Sequence, residues 1–354
     1  MRALPVLAVV LALIMSAAAI WQITESPDAV EDIRPTPAAM PTPGEPVAVS
    51  VEAGLSPREI GEALESVGAI DSATRFRILV SLLGYDSLLQ AGDYEFERDT
   101  PILEVIYRMH SGRVVTRTVT VIPGRRLEEI ADAVAALGIP RDDFIAAASS
   151  HDYDFPFVRE LPAGATLEGY LYPATYPVRS TDTAQTLVHA MLQAFADNVP
   201  PAVTEQAATF GMTLHDAVTL AAIIEREAQV PEERPVMAQV FLTRLRIGIR
   251  LEADPTVQYA VSEAPGSIGE FGYWKALLTL DDLAYDSPYN TYVYRGLPPG
   301  PICNPSGEAI IAAVQPSDTD YLYFVARPDG SHAFAETLEE HLANVEMYQT
   351  GGGQ

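Results

Sequence analysis

Val49-Ser50-Val51, Gly54, Ser56-Pro57-Arg58-Glu59, Ile60, Leu64, Val67 and Gly68 spell out a strand, a turn and a helix in close succession. The valines alternate as a strand requires, and Gly54 turns the chain. Ser56 and Glu59 form a capping box with Pro57 at the first helical position. Ile60, Leu64 and Val67 then share one helical face before Gly68 ends the run. The pattern returns as Val119-Thr120-Val121, Gly124, Ile130, Val134, Leu137 and Gly138, at matching relative positions. An internal repeat of one small βα unit predicts an α+β fold. Between the copies, Tyr94-Glu95-Phe96 alternates as a strand, and Thr100-Pro101 opens a helix with apolar positions Leu103, Ile106 and Tyr107. Arg113 to Val121 alternates again. The first copy and these elements make a small module over 47–118, and the second copy, at 119–140, opens a larger domain over 119–350.

Outward toward the N-terminus, Ala3 to Trp21 is apolar apart from Ser16, long enough in a helix to approach the thickness of a bilayer core. A single-pass transmembrane anchor over 1–21 fits, with Trp21 at the interface. A cleaved signal peptide also fits, because Ser16-Ala17-Ala18-Ala19 offers small residues. Arg2 precedes the run and Asp28, Glu31 and Asp32 follow it, so either reading puts the bulk of the chain outside the cytoplasm. Residues 22–46 carry Pro35, Pro37, Pro41, Pro43 and Pro46 with acidic residues, the composition of an extended linker.

The 354 residues suit about two domains beyond that segment, and 48% apolar content allows a proper core. A net charge of −26, with Lys275 the sole lysine, repels phosphate backbones and speaks against a nucleic-acid partner. The single cysteine, Cys303, excludes an internal disulfide, and its place in the chain excludes a lipidated N-terminal cysteine. No cofactor or metal is expected: Cys303 reads as a small buried hydrophobe, and His332 and His341 lack ligand spacing.

The chemistry concentrates in Thr213 to Ile249. Thr213 and Asp216 start a helix, Ala217 to Ala228 holds no breaker, and Pro231 separates it from a second helix beginning near Glu233. Val218, Ala221, Ala222, Glu225 and Ala228 share one face, so the Glu225 carboxyl is expected among small apolar neighbours that leave room for a substrate. Such surroundings disfavour a charged group, which suits an acid that must hold a proton. Glu227 points the other way and reads as a solvated or ion-paired residue.

Six segments then occur in order: Leu167 to Pro173 (LEGYLYP), Ala222 to Ala228 (AIIEREA), Arg244 to Gly248 (RLRIG), Asp254 to Tyr259 (DPTVQY), Tyr289 to Tyr292 (YNTY) and Gly296 to Ile302 (GLPPGPI). Together they resemble the endolytic murein transglycosylases of the MltG (YceG-like) family, over roughly 47 to 348, with the 47–118 part similar to a LysM-like module. The module serves either as a spacer or as a grip on glycan. The resemblance implies that Glu225, matching the first Glu of the family's Ile-Glu-Arg-Glu type motif, is the catalytic acid/base. It also implies cleavage of the β-1,4 bond between N-acetylmuramic acid and N-acetylglucosamine, with a 1,6-anhydro end and no water consumed. Thr243 stands where the family usually has Asn, and Pro123-Gly124 where it usually has Pro-Glu-Gly.

By chemical type, Tyr289, Asn290, Thr291 and Tyr292 offer hydroxyl, amide and aromatic groups for gripping acetamido sugars. Tyr170, Thr256, Gln258 and Tyr259 join them as substrate-binding candidates. Glu168 and Asp254 are substrate-binding candidates too and candidates for a second acid, although carboxylates in turn motifs commonly hold backbone N–H groups instead. Gly296 to Pro301 should form a rigid wall. The expected partners are peptidoglycan glycan strands, the membrane through the N-terminal helix, and peptidoglycan synthases. A non-catalytic wall-binding scaffold and a hydrolytic muramidase are the competing readings.

Overall fold

The computed structural model describes residues 46–113, 117–179 and 182–350, so the segment expected to be an anchor and all but the end of the linker lie outside the described residues. The chain divides into two compact units. Among described residues the first takes in 46–49, 56–88 and 95–107, and the second 50–55, 89–94 and 108–350. No single helix among the described residues is long and apolar enough to cross a membrane.

β1 (Pro46–Val51) buries Val47, Val49 and Val51 and exposes the residues between them, and it forms a two-stranded sheet with β2 (Gly92–Glu97). The capping box is present: Ser56 N donates to Glu59 Oε2 at 2.8 Å and starts α1 (Pro57–Ser66), which buries Ile60 and Leu64. A helix that the periodicity above does not mark, α2 (Ala73–Leu83), follows, capped by Ser72 and ended by left-handed Gly84. In α3 (Ile102–His110) the expected face is wrong in part. Val105, Ile106 and Met109 are buried, while Leu103 and Tyr107 are 59% and 57% exposed. Apolar residues lie on two adjoining stripes of this helix, and packing selects one.

The second unit repeats the opening pattern. β3 (Arg117–Thr120) leads through Gly124 to α4 (Leu127–Ala135) and Gly138, and all four repeat glycines are left-handed, with φ +90° and +77° at Gly54 and Gly68 and +82° and +96° at Gly124 and Gly138. β3 pairs antiparallel with β4 (Thr175–Val178), Val119 opposite Tyr176. Helices α5 (Arg141–Ala148), α6 (Pro156–Arg159), α7 (Ala184–Asn198) and α8 (Ala202–Thr209) follow.

The centre of this unit is α9 (Leu214–Glu227), capped by Thr213 and Asp216 as expected, with every residue from Ala217 to Ile224 buried. Val218, Leu220, Ile223 and Ile224 are wholly buried, each worth about 1.5–3 kcal/mol relative to exposure. α9 packs against α10 (Arg234–Ile247), α11 (Asp254–Ser262) and, most extensively, α14 (Gly307–Val314). The short α12 (Ser267–Phe271) and α13 (Leu280–Leu283) lie between α11 and α14 in the chain. Toward the C-terminus, β5 (Tyr323–Ala326) pairs antiparallel with β6 (His332–Ala335). α15 (Leu338–Val345) rests on this hairpin with none of its own residues buried.

Candidate active site

Glu225 and Glu227 sit in the last turn of one helix and project to opposite sides of it. Glu225 Oε1 accepts from Arg234 Nη2 at 2.9 Å, and its Oε2 accepts from Ser306 N at 3.0 Å and from Ser306 Oγ. Its side chain is 8% exposed and does not line the cavity that holds Glu227. The small-residue face beside it is also not a substrate space. Val218, Ala221 and Ala222 are wholly buried, Cys303 Sγ donates to Ala222 O at 3.4 Å, and α14 lies along the helix. Small side chains here let buried chain approach closely. The apolar, open setting expected for Glu225 is therefore replaced by a guanidinium, a hydroxyl and a backbone N–H.

Glu227 lines a cavity of about 280 Å³. Its walls come from separate elements: Arg244 of α10, Glu252 just before α11 and Asp254 at its start, Tyr292 from the loop after α13, Phe324 and His332 of the hairpin, and His341 of α15. Burial pushes the Glu227 carboxyl up to about 8, the charge of Asp254 adds to that push, and Arg244 opposes it. Such a group carries a proton at neutral pH. Arg244 is fixed by its own bonds, Nε to Leu322 O at 2.8 Å and Nη1 to Leu251 O at 2.8 Å, and lies 3.6 Å from the Glu252 carboxylate. Tyr292 Oη donates to Asp254 Oδ1 at 2.7 Å, and burial raises the Tyr292 hydroxyl far enough to keep it a donor. His332 Nδ1 lies 2.7 Å from Glu233 Oε2, while His341 stacks on Tyr323 and its Nδ1 has no hydrogen-bond partner among the described residues.

Residues 49–347 match the sequence profile of the YceG-like proteins. This chain belongs to the YceG-like family. It is 32% identical over 316 residues to the endolytic murein transglycosylase of Bacillus subtilis strain 168, covering 85% of this chain and 84% of that one. To the endolytic murein transglycosylase of Streptococcus pneumoniae serotype 2 strain D39 it is 28% identical, over 84% of this chain and 58% of that longer protein. Its fold is similar to the crystal structure of a YceG-like protein from Listeria monocytogenes, with a TM-score of 0.56 and 32% identity over 84% of this chain and 98% of that one.

In this YceG-like protein the remaining expected site residues separate into three groups, with Tyr170 and Gln258 apart from all of them. Asp254 and Tyr292 reach the Glu227 cavity. Thr256, Asn290 and Thr291 are buried and serve as a latch beneath it. Thr291 Oγ1 accepts from Ala253 N at 3.0 Å and lies 2.8 Å from Thr256 Oγ1, and Asn290 Nδ2 donates to Leu283 O and Tyr285 O. Their polar groups are spent inside the protein, so a direct grip on sugar by Asn290 and Thr291 is replaced by a structural role.

Glu168, Tyr259 and Tyr289 form the third group, with Arg126. Glu168 Oε1 accepts from Leu127 N at 2.7 Å, Tyr259 Oη donates to Glu168 Oε2 at 3.0 Å, and the Arg126 guanidinium lies 4.0 Å from the Tyr259 ring centroid. Tyr289 packs on Tyr259 with ring centroids 4.7 Å apart and the rings tilted by 38°. Burial, then the charge of Glu128, pushes the Glu168 carboxyl up to about 8. Tyr170 is core, 1% exposed and packed on Phe157 and Phe195. Gln258 holds Lys275 O at 2.9 Å. Tyr170 and Gln258 lie outside the cavity, as do the three residues of this cluster.

Residue types alone passed over Glu227, Arg244, Glu252, Phe324, His332 and His341 as site members. Glu227 and Arg244 stood within the AIIEREA and RLRIG motifs, the one signal that could have found them. Glu252, Phe324, His332 and His341 come together only through packing. Of the two departures from the family pattern, Thr243 accepts a bond from Gln239 at 2.7 Å on its own helix, and Gly124 N donates to Asn304 O at 2.9 Å.

Proposed function

We propose that this protein is an endolytic lytic transglycosylase that cuts the β-1,4 bond between N-acetylmuramic acid and N-acetylglucosamine, with Glu227 as acid and then base. The observation that carries the reading is a carboxyl pushed up to about 8 in a cavity built from several elements. Relatives at 32% and 28% identity that bear the name endolytic murein transglycosylase support peptidoglycan as the substrate. An acid needs a proton in hand and an approach to the substrate. Glu227 has both, whereas the oxygens of Glu225 are already engaged by Arg234 and Ser306.

One carboxyl suffices for this reaction. Protonated Glu227 gives its proton to the departing glycosidic oxygen as the bond to C1 breaks. The carboxylate then takes the proton from the muramic acid 6-hydroxyl as that oxygen bonds to C1, closing the 1,6-anhydro ring. The enzyme ends as it began and no water is used. The apolar run Ala3 to Trp21 supports tethering of this activity to the outer face of the membrane.

Digestion of purified glycan strands, read by mass spectrometry of the products, tests the reading. Glu227→Gln should lower cleavage about 100- to 10,000-fold while strand binding persists, whereas Glu225→Gln should retain cleavage within about tenfold. Wild-type activity should fall as pH rises through about 8, where Glu227 loses its proton. Anhydro ends support the transglycosylase, reducing ends would make it a hydrolase, and unchanged strands a binder. Full activity in Glu227→Gln with loss in Glu225→Gln would return the role to Glu225.

A further inference from the structure

We infer that Asp254 is a second catalytic residue, a carboxylate placed to stabilise the positive charge developing at the anomeric carbon while Glu227 handles the proton. The inference rests on the reading of Glu227 above. Asp254 shares the cavity with Glu227 and is held there by unusual means. It is the first residue of α11, and its carboxylate accepts from Tyr292 and from no backbone N–H among the described residues. The donors that would normally engage it are taken or missing: Ala253 N donates to Thr291 Oγ1, Thr256 N donates to Ala253 O, and Pro255 has no N–H. Its one hydrogen bond is from Tyr292 to Oδ1, and Oδ2 has no partner among the described residues.

The arrangement is preorganised. Glu252 N donates to Thr291 O at 3.3 Å, and the Thr256–Thr291 pair locks the two segments that carry Asp254 and Tyr292. A carboxylate pinned through one oxygen at a helix N-terminus holds its charge in a preset position. The other groups facing Glu227 cannot take this role. Arg244 is cationic, Glu252 lies 3.6 Å from Arg244, His332 is bonded to Glu233, and His341 and the Tyr292 hydroxyl carry no negative charge. Asp254 exchanges no proton in either step. The bond-breaking proton leaves Glu227 and the 6-hydroxyl proton returns to it, while Asp254 keeps its charge opposite the oxocarbenium-like carbon.

Asp254→Asn tests this in the full chain, since Asn still accepts the Tyr292 hydrogen bond while losing the charge. On purified glycan strands below pH 7 its kcat should fall about 100-fold with KM little changed. The alkaline limb of its pH–rate profile should also move to lower pH, because a neighbouring negative charge no longer helps Glu227 keep its proton. Activity within about threefold of wild type, or a fall in kcat with the limb unmoved, overturns the inference. If Asp254→Asn does not fold, Tyr292→Phe keeps the charge but frees the pinned oxygen, and should lower kcat about tenfold; an unchanged kcat there overturns it equally. Glu227→Gln separates the two readings. An inactive Glu227→Gln beside an active Asp254→Asn defeats only the role of Asp254, whereas an active Glu227→Gln defeats the acid assignment itself.

Discussion

Glu225 and Glu227 are chemically the same residue in one helical turn, and their neighbours divide their roles. Glu225 closes an ion pair with Arg234 and holds Ser306, tying the end of α9 to the start of α10 and to the turn before α14. Glu225→Gln should therefore cost about 1–3 kcal/mol of stability, since Arg234 is left with a weaker partner, and urea unfolding followed by circular dichroism measures it. The helical wheel correctly separated the two carboxyls onto opposite sides. It assigned their settings in reverse, because a face of alanines reads as open space in sequence and acts as a docking face in the fold.

At the scale of elements, α9 is held by chain that returns from far away. Asn304 Oδ1 accepts from Gly169 N at 2.8 Å and from Leu171 N at 3.0 Å, and its Nδ2 donates to Arg125 O at 3.0 Å. The LEGYLYP segment and the second repeat copy thus meet at one buried amide, two residues beyond GLPPGPI. Gly169 is required there twice over: its φ is +89°, and a Cβ would lie 2.5 Å from Pro301 Cγ and 2.8 Å from Val218 Cγ1. Gly169→Ala should destabilise the protein by about 1–3 kcal/mol and lower cleavage in proportion to unfolded chain, which a denaturation midpoint and a rate measured at low temperature would separate. The expected rigid wall at Gly296 to Pro301 thus has a further task, delivering Pro301 against Gly169. The repeat itself was legible because turns at Gly54 and Gly124 and helix stops at Gly68 and Gly138 need left-handed backbone, a demand that leaves glycine in the sequence. α2 and the buried stripe of α3 were not, since neither carries a pattern that one face alone explains.

Across the whole molecule, Glu168 and Glu227 each hold a carboxyl pushed up to about 8, well above the roughly 4.3 of a free glutamic acid. Between those values the folded protein keeps protons that the unfolded chain releases, so the stability they contribute is whole below about pH 4 and is lost as pH rises through about 8. Thermal unfolding followed from pH 5 to 9 should show a falling Tm over that window, and Glu168→Gln with Glu227→Gln should flatten the fall. The net charge of −26 adds self-repulsion as carboxyls ionise, in the same direction.

By itself the sequence determined the α+β class, the repeated βα unit, the capped helix carrying Glu225 and Glu227, and the family, because caps, left-handed turns and ordered motifs are local and leave residue-specific marks. Which glutamate is buried beside Asp254, and which is engaged by Arg234 and Ser306, was decided only in tertiary structure. Burial and neighbouring charge set the proton affinity of a carboxyl, and here both come from α10, α11, the β5–β6 hairpin and α15.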